Sequence, residues 1–102
     1  MAENEGDQKS VDGELAELTR GYLESLRSTV AAVKNARSAG DFIALRSLAH
    51  QTRGAAGMYG FPELSETAGL LDDAIAEDQD DDLILELADE FIRGIEATLQ
   101  GA

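Results

Sequence analysis

The chain has no cysteine, no tryptophan and a single proline, and its aromatic residues amount to two tyrosines and three phenylalanines. Without thiols there are no disulfides and no thiolate metal sites, which is compatible with the cytoplasm. Long apolar runs are missing too. None approaches the roughly 20 residues a membrane-spanning helix needs, and the N-terminus lacks a basic segment followed by a hydrophobic core. The expectation is a soluble cytoplasmic protein with no membrane partner. Basic residues are scarce, eight against 21 acidic ones. The resulting net charge of -13 repels phosphate backbones and argues against nucleic acid as a partner.

What remains is rich in alanine, leucine, glutamate and aspartate, the composition of an all-helical class, in a length that suits one domain with one core. Residues 1–10, MAENEGDQKS, are polar and without periodicity, so they are expected to form a flexible tail ahead of a single domain over 11–102. From Val11 the apolar positions Val11, Leu15, Leu18, Tyr22, Leu26, Thr29, Val30 and Val33 step by threes and fours, which predicts a long first helix ending at Ser38-Ala39-Gly40. Ser10 or Asp12 is placed to cap its start, and Asp41 to cap the helix that follows. Pro62 suits the first turn of a third helix with the stripe Leu64, Ala68, Leu71 and Ile75. A fourth carries Ile84, Leu87, Ala88, Phe91, Ile95 and Leu99 on one side. Four amphipathic helices with short connections close best as an antiparallel up-and-down four-helix bundle.

The charge run 77–82, EDQDDD, places Asp78, Asp80 and Asp82 at alternate positions, like the first ligands of a calcium loop. The sixth position, however, is Leu83 where that loop needs glycine, and the twelfth is Asp89 where it wants glutamate. A solvated loop that caps the last helix is the better reading, and no metal site is expected.

The only histidine lies in the run from Phe42 to Gly60, FIALRSLAHQTRGAAGMYG. At about 100° per residue, Phe42, Leu45, Leu48, Ala49, Thr52, Ala56 and Tyr59 share the side that faces the core. His50 falls opposite them, flanked by Ile43, Arg46, Ser47, Arg53, Gly54 and Gly57. The ring is therefore expected to face water with two cations beside it and no neighbouring carboxylate. Glycine inside a helix costs about 1 kcal/mol relative to alanine, so placing Gly54 and Gly57 on this side points to access for a visiting group. A loose helix end is the plainer explanation, since Gly60 and Pro62 follow. Ile43, Arg46, Ser47, Gly54 and Gly57 are the candidate partner-binding residues, with Ile43 an apolar contact point on a polar face.

The stretch AHQTRGAAGMYGFPEL resembles the signature of histidine-containing phosphotransfer (HPt) domains. Shared features are an alanine-histidine pair, a cation three residues on, glycine immediately after it, small residues, another glycine and a new helix. Ala39-Gly40-Asp41-Phe42 is similar to the family's connection into the histidine helix. The resemblance implies an HPt-like bundle and a phosphorelay intermediate in two-component signalling, with His50 as phosphoacceptor. It would exchange its phosphoryl group with the aspartates of response-regulator receiver domains, and a hybrid sensor kinase is a further candidate partner. Gly54 and Gly60 match the family's glycines, and Arg53 stands where its lysine usually does. Arginine keeps the charge but offers a planar fork in place of a compact ammonium. The resemblance also implies a monomer without a cofactor of its own, the magnesium ion belonging to the receiver domain.

The chemistry asked of the residues agrees. A neutral imidazole nitrogen is a competent nucleophile, and Arg53, helped by Arg46, can offset charge on phosphoryl oxygens. There is no second histidine for a metal site, no assignable Ser-His-Asp set and no GxxxxGK phosphate cradle, so neither an ATP site nor autokinase activity is expected. Sensor-kinase dimerisation domains also present histidine on a bundle, but they resemble one another in an acidic residue directly after it, where this chain has Gln51. A non-catalytic scaffold, or a degenerate HPt protein that binds a receiver or kinase without phosphorylation, is the principal alternative. A plain bundle with an incidental histidine is another. An initiating methionine and an end just past the last helix favour a complete small protein.

Overall fold

A computed structural model describes the backbone of residues 2–101 and the side chains of residues 13–101. It holds four helices among these residues, α1 (Ala2–Ala39), α2 (Phe42–Met58), α3 (Pro62–Ala76) and α4 (Asp81–Gly101), and no strand. None is long and apolar enough to cross a membrane.

The turns follow from local chemistry. Gly40 takes a φ of 65° and Gly60 one of 83°, left-handed conformations that suit glycine. The Asp41 side chain accepts a hydrogen bond from the Ala44 N–H at 3.0 Å, capping α2 as expected. Pro62 opens α3. Asp78 also adopts a positive φ, 58°, in the turn that ends α3, and the Gln79 N–H reaches back to the Ala74 carbonyl at 3.0 Å. The alternate aspartates thus serve a turn and the start of α4. Among the described residues no group of three or more acidic, histidine or cysteine side chains is placed to hold a metal.

Helix α2 packs on α3, α3 on α4, and α1 closes the ring against α2 and α4, giving the four-helix bundle. The stripes read from the sequence meet at its centre, where Leu26, Val33, Leu45, Leu71, Phe91 and Ile95 are fully buried. Ala49, Ala56, Ala68 and Ala88 are buried to 0% exposure, and such small side chains let the helix axes approach closely. Salt bridges fasten the outside of the α1–α4 contact. Arg37 grips Asp89 with two bonds of 2.9 and 3.3 Å, and Lys34 Nζ lies 3.2 Å from Glu96. The Arg37 bond is the main reason the Asp89 carboxyl is held below its ordinary range, against the opposing effect of burial.

The first helix corrects one expectation. Leu15 and Leu18, assigned to the core stripe, are 57% and 55% exposed. Helix α1 has 38 residues against 17, 15 and 21 in the other three. The Tyr22 ring stacks on Tyr59 at the end of α2, with centroids 4.8 Å apart, so positions before Tyr22 run past the helices that would cover them. Helix α1 also starts ahead of Val11. The side chains of the expected tail, 1–10, and of the candidate caps Ser10 and Asp12 lie outside the described residues.

Candidate functional site

Helix α2 turns its apolar side inward, burying Leu45, Ala49, Thr52 and Ala56, and this fixes what its other side presents. The His50 side chain is 76% exposed, on the outer face as the helix spacing requires. Ile43 is 86% exposed. It borders a groove of about 430 Å³ whose other walls include Phe42, Arg46, His50 and Ile75. Ser47 is exposed and lies 3.4 Å from the Gln51 amide.

The surroundings of the ring differ from expectation in one decisive respect. A carboxylate touches it: His50 Nδ1 lies 2.9 Å from Asp72 Oδ2 on α3. The other oxygen of Asp72 accepts a hydrogen bond from Arg46 Nε at 3.3 Å. Arg53 donates to Asp73 Oδ1 at 2.9 Å, and the same nitrogen is 3.7 Å from the Asp72 oxygen that the ring bonds. Each cation beside His50 is therefore engaged with α3, Arg46 through its salt bridge to Asp72.

Asp72 is one of two buried polar residues among the described residues, at 5% exposure. Burial is the largest single influence on its carboxyl and opposes ionisation, but hydrogen bonds from His50 and Arg46, with their charges, together outweigh it. The net result is a carboxyl held below its ordinary range, so Asp72 is an anion at neutral pH. An anion accepts and does not donate, so the bond to the ring carries the proton on Nδ1. In the neutral ring this leaves Nε2 with its lone pair, and among the described residues nothing bonds it. An exposed, oriented nitrogen nucleophile backed by an anion and flanked by two guanidinium groups is the chemical content of the site.

The two glycines after His50 separate in role. Open space surrounds the position a side chain would take at Gly54, so this flank is free for an approaching group. A Cβ on Gly57 would stand 3.4 Å from Ser65 Oγ, and Ser65 donates to the Arg53 carbonyl at 2.7 Å. Gly57 is exposed like Gly54, but it lies beside α3, where a side chain would touch Ser65.

Asp72, Asp73 and Gly69 were not singled out in the sequence. A signal for Asp72 existed: it stands four residues after Ala68 and three before Ile75, at the edge of the apolar stripe. A carboxylate there must find partners or pay the full cost of burial.

Comparison with protein families matches residues 17–101 to a family model described as Hpt domain. No curated protein and no solved structure matches the chain.

Proposed function

The chain belongs to the Hpt domain family, whose place is phosphotransfer in two-component signalling, and from that premise we propose that it carries a phosphoryl group on His50. The observation that supports this most is the 2.9 Å bond between Nδ1 and the buried Asp72 on a ring that is otherwise in solvent. In the proposed step the Nε2 lone pair attacks the phosphorus of a receiver-domain aspartyl phosphate. The bond from phosphorus to the aspartyl oxygen breaks, and the aspartate leaves as a carboxylate. No proton is lost, because Nε2 carries none. The product is a phosphoimidazolium whose Nδ1–H remains on Asp72, so the ring's new positive charge forms against a fixed anion. Transfer onward to another receiver reverses these bonds.

Arg53 and Arg46 compensate the phosphoryl oxygens, Arg53 by leaving Asp73 for the incoming group. Gly54 supplies the clearance, while Ile43, Ser47 and the groove beside Phe42 and Ile75 form the contact with the receiver surface. Magnesium is the partner's contribution, and this chain needs no cofactor. Activated aspartyl phosphate supplies the driving force, so the protein's task is presentation of the ring.

The test is incubation with a phosphorylated receiver domain. Wild-type protein is expected to gain one phosphoryl mass and His50→Gln none; equal labelling of both removes the proposal. Receiver binding without any label would instead favour the scaffold alternative.

A further inference from the structure

Gly69 sits buried in the interior of α3, where glycine is among the least favourable residues for a helix. Its φ is ordinary for a helix, so backbone conformation does not account for it. Its surroundings do. A Cβ built there would lie 3.0 Å from Arg53 Nε, 3.2 Å from Cζ and 3.4 Å from Cδ. The Arg53 side chain is thus laid flat over the backbone at Gly69. Asp72 and Asp73 follow three and four residues later on the same face of α3. The three positions together make a shallow track that ends at the carboxylate bonded to His50.

We infer that Gly69 is a positioning residue for phosphoryl transfer: by having no side chain, it lets Arg53 lie across α3 and hold its guanidinium beside His50. This rests on the reading of His50 as phosphoacceptor and assigns the geometry by which arginine serves at that site. Arginine is planar and branched at its tip, so it needs a flat bed where a compact ammonium would not. A methyl group at Gly69 makes Nε and Cζ give by a few tenths of an ångström, which shifts the guanidinium away from the Asp72 oxygen that bonds His50. Because Arg53 is partly exposed and flexible, the fold absorbs this displacement easily. The substitution therefore separates function from stability: alanine improves the helix while it dislodges the cation.

The experiment compares wild type, Gly69→Ala, Arg53→Ala and the double variant. Three quantities are read: the thermal midpoint, the rate of labelling by a phosphorylated receiver domain, and the nitrogen-proton NMR signals of the Arg53 guanidinium. Gly69→Ala is expected to melt at the wild-type temperature or up to a few degrees above it. Its labelling rate should fall roughly tenfold, as for Arg53→Ala, the loss that goes with one partly exposed charged hydrogen bond. The double variant should be no slower than either single one, and the Arg53 signals of Gly69→Ala should move and exchange faster with water. Wild-type labelling with unmoved Arg53 signals in Gly69→Ala overturns the inference, as does an equal further slowing when Gly69→Ala is added to Arg53→Ala. If wild type takes no label, the phosphoacceptor reading falls, and the NMR signals alone still decide whether Gly69 beds Arg53.

Discussion

Replacing Asp72 with asparagine changes one charge and almost no volume, which makes it the sharpest probe of how His50 is prepared. The carboxylate accepts from Nδ1 at 2.9 Å and so holds the proton there, leaving Nε2 free. A neutral amide holds that tautomer weakly, and if its NH2 turns toward the ring it favours the opposite one, with the proton on Nε2 and no lone pair to attack. The anion that faces the phosphoimidazolium is lost in either case. A hydrogen bond to a charged group is worth about 1.5–3 kcal/mol. Because three-quarters of the ring is in solvent, the lower part of that range applies, about 1.5–2 kcal/mol, or a roughly ten- to thirtyfold slower transfer. Stability should change by no more than about 1 kcal/mol, since the Arg46 and His50 partners are more than half exposed. Rapid-quench labelling by a phosphorylated receiver domain measures the rate, and nitrogen-15 shifts of the ring report the tautomer. Wild-type transfer by Asp72→Asn with the proton still on Nδ1 would refute the reasoning.

Other consequences are simpler to state. Asp72 and Asp89 both have folded-state carboxyls below the ordinary range, so the stability they contribute is present above about pH 4, where unfolded aspartate titrates. It is lost as the pH falls through their lower folded values; urea midpoints should therefore drop on acidification, and less so in Asp89→Asn. Phe91 is fully buried, and Phe91→Ala is expected to cost about 3–5 kcal/mol in urea unfolding, with a much smaller loss contradicting the packing. Leu15 and Leu18 lie beyond the covered part of α1, so Leu15→Gln with Leu18→Gln should leave chemical stability within about 0.5 kcal/mol of wild type. A loss of several kcal/mol would return them to a core.

The outward direction of His50 was legible because it depends only on α2: the spacing of Leu45, Ala49, Thr52 and Ala56 fixes the buried side and hence its opposite. The Asp41 cap and the glycine turns at Gly40 and Gly60 were legible for the same reason, since each is decided within a few residues. The carboxylate behind the ring was not. Asp72 is separated from His50 by 22 positions, and helix spacing cannot say which residue of α3 meets which residue of α2. The bed for Arg53 was hidden likewise, because the significance of Gly69 lies in a side chain from another helix. Leu15 and Leu18 show the converse: periodicity identifies a face that could be buried, and the lengths of the neighbouring helices decide how much of it is.

Which nitrogen carries the phosphoryl group tests the central claim most directly. With Nδ1 committed to Asp72, phosphorus-nitrogen NMR of the labelled protein should place phosphorus on Nε2 of His50, with Nδ1 still protonated. Phosphorus on Nδ1, or on a carboxylate elsewhere in the chain, would contradict the account.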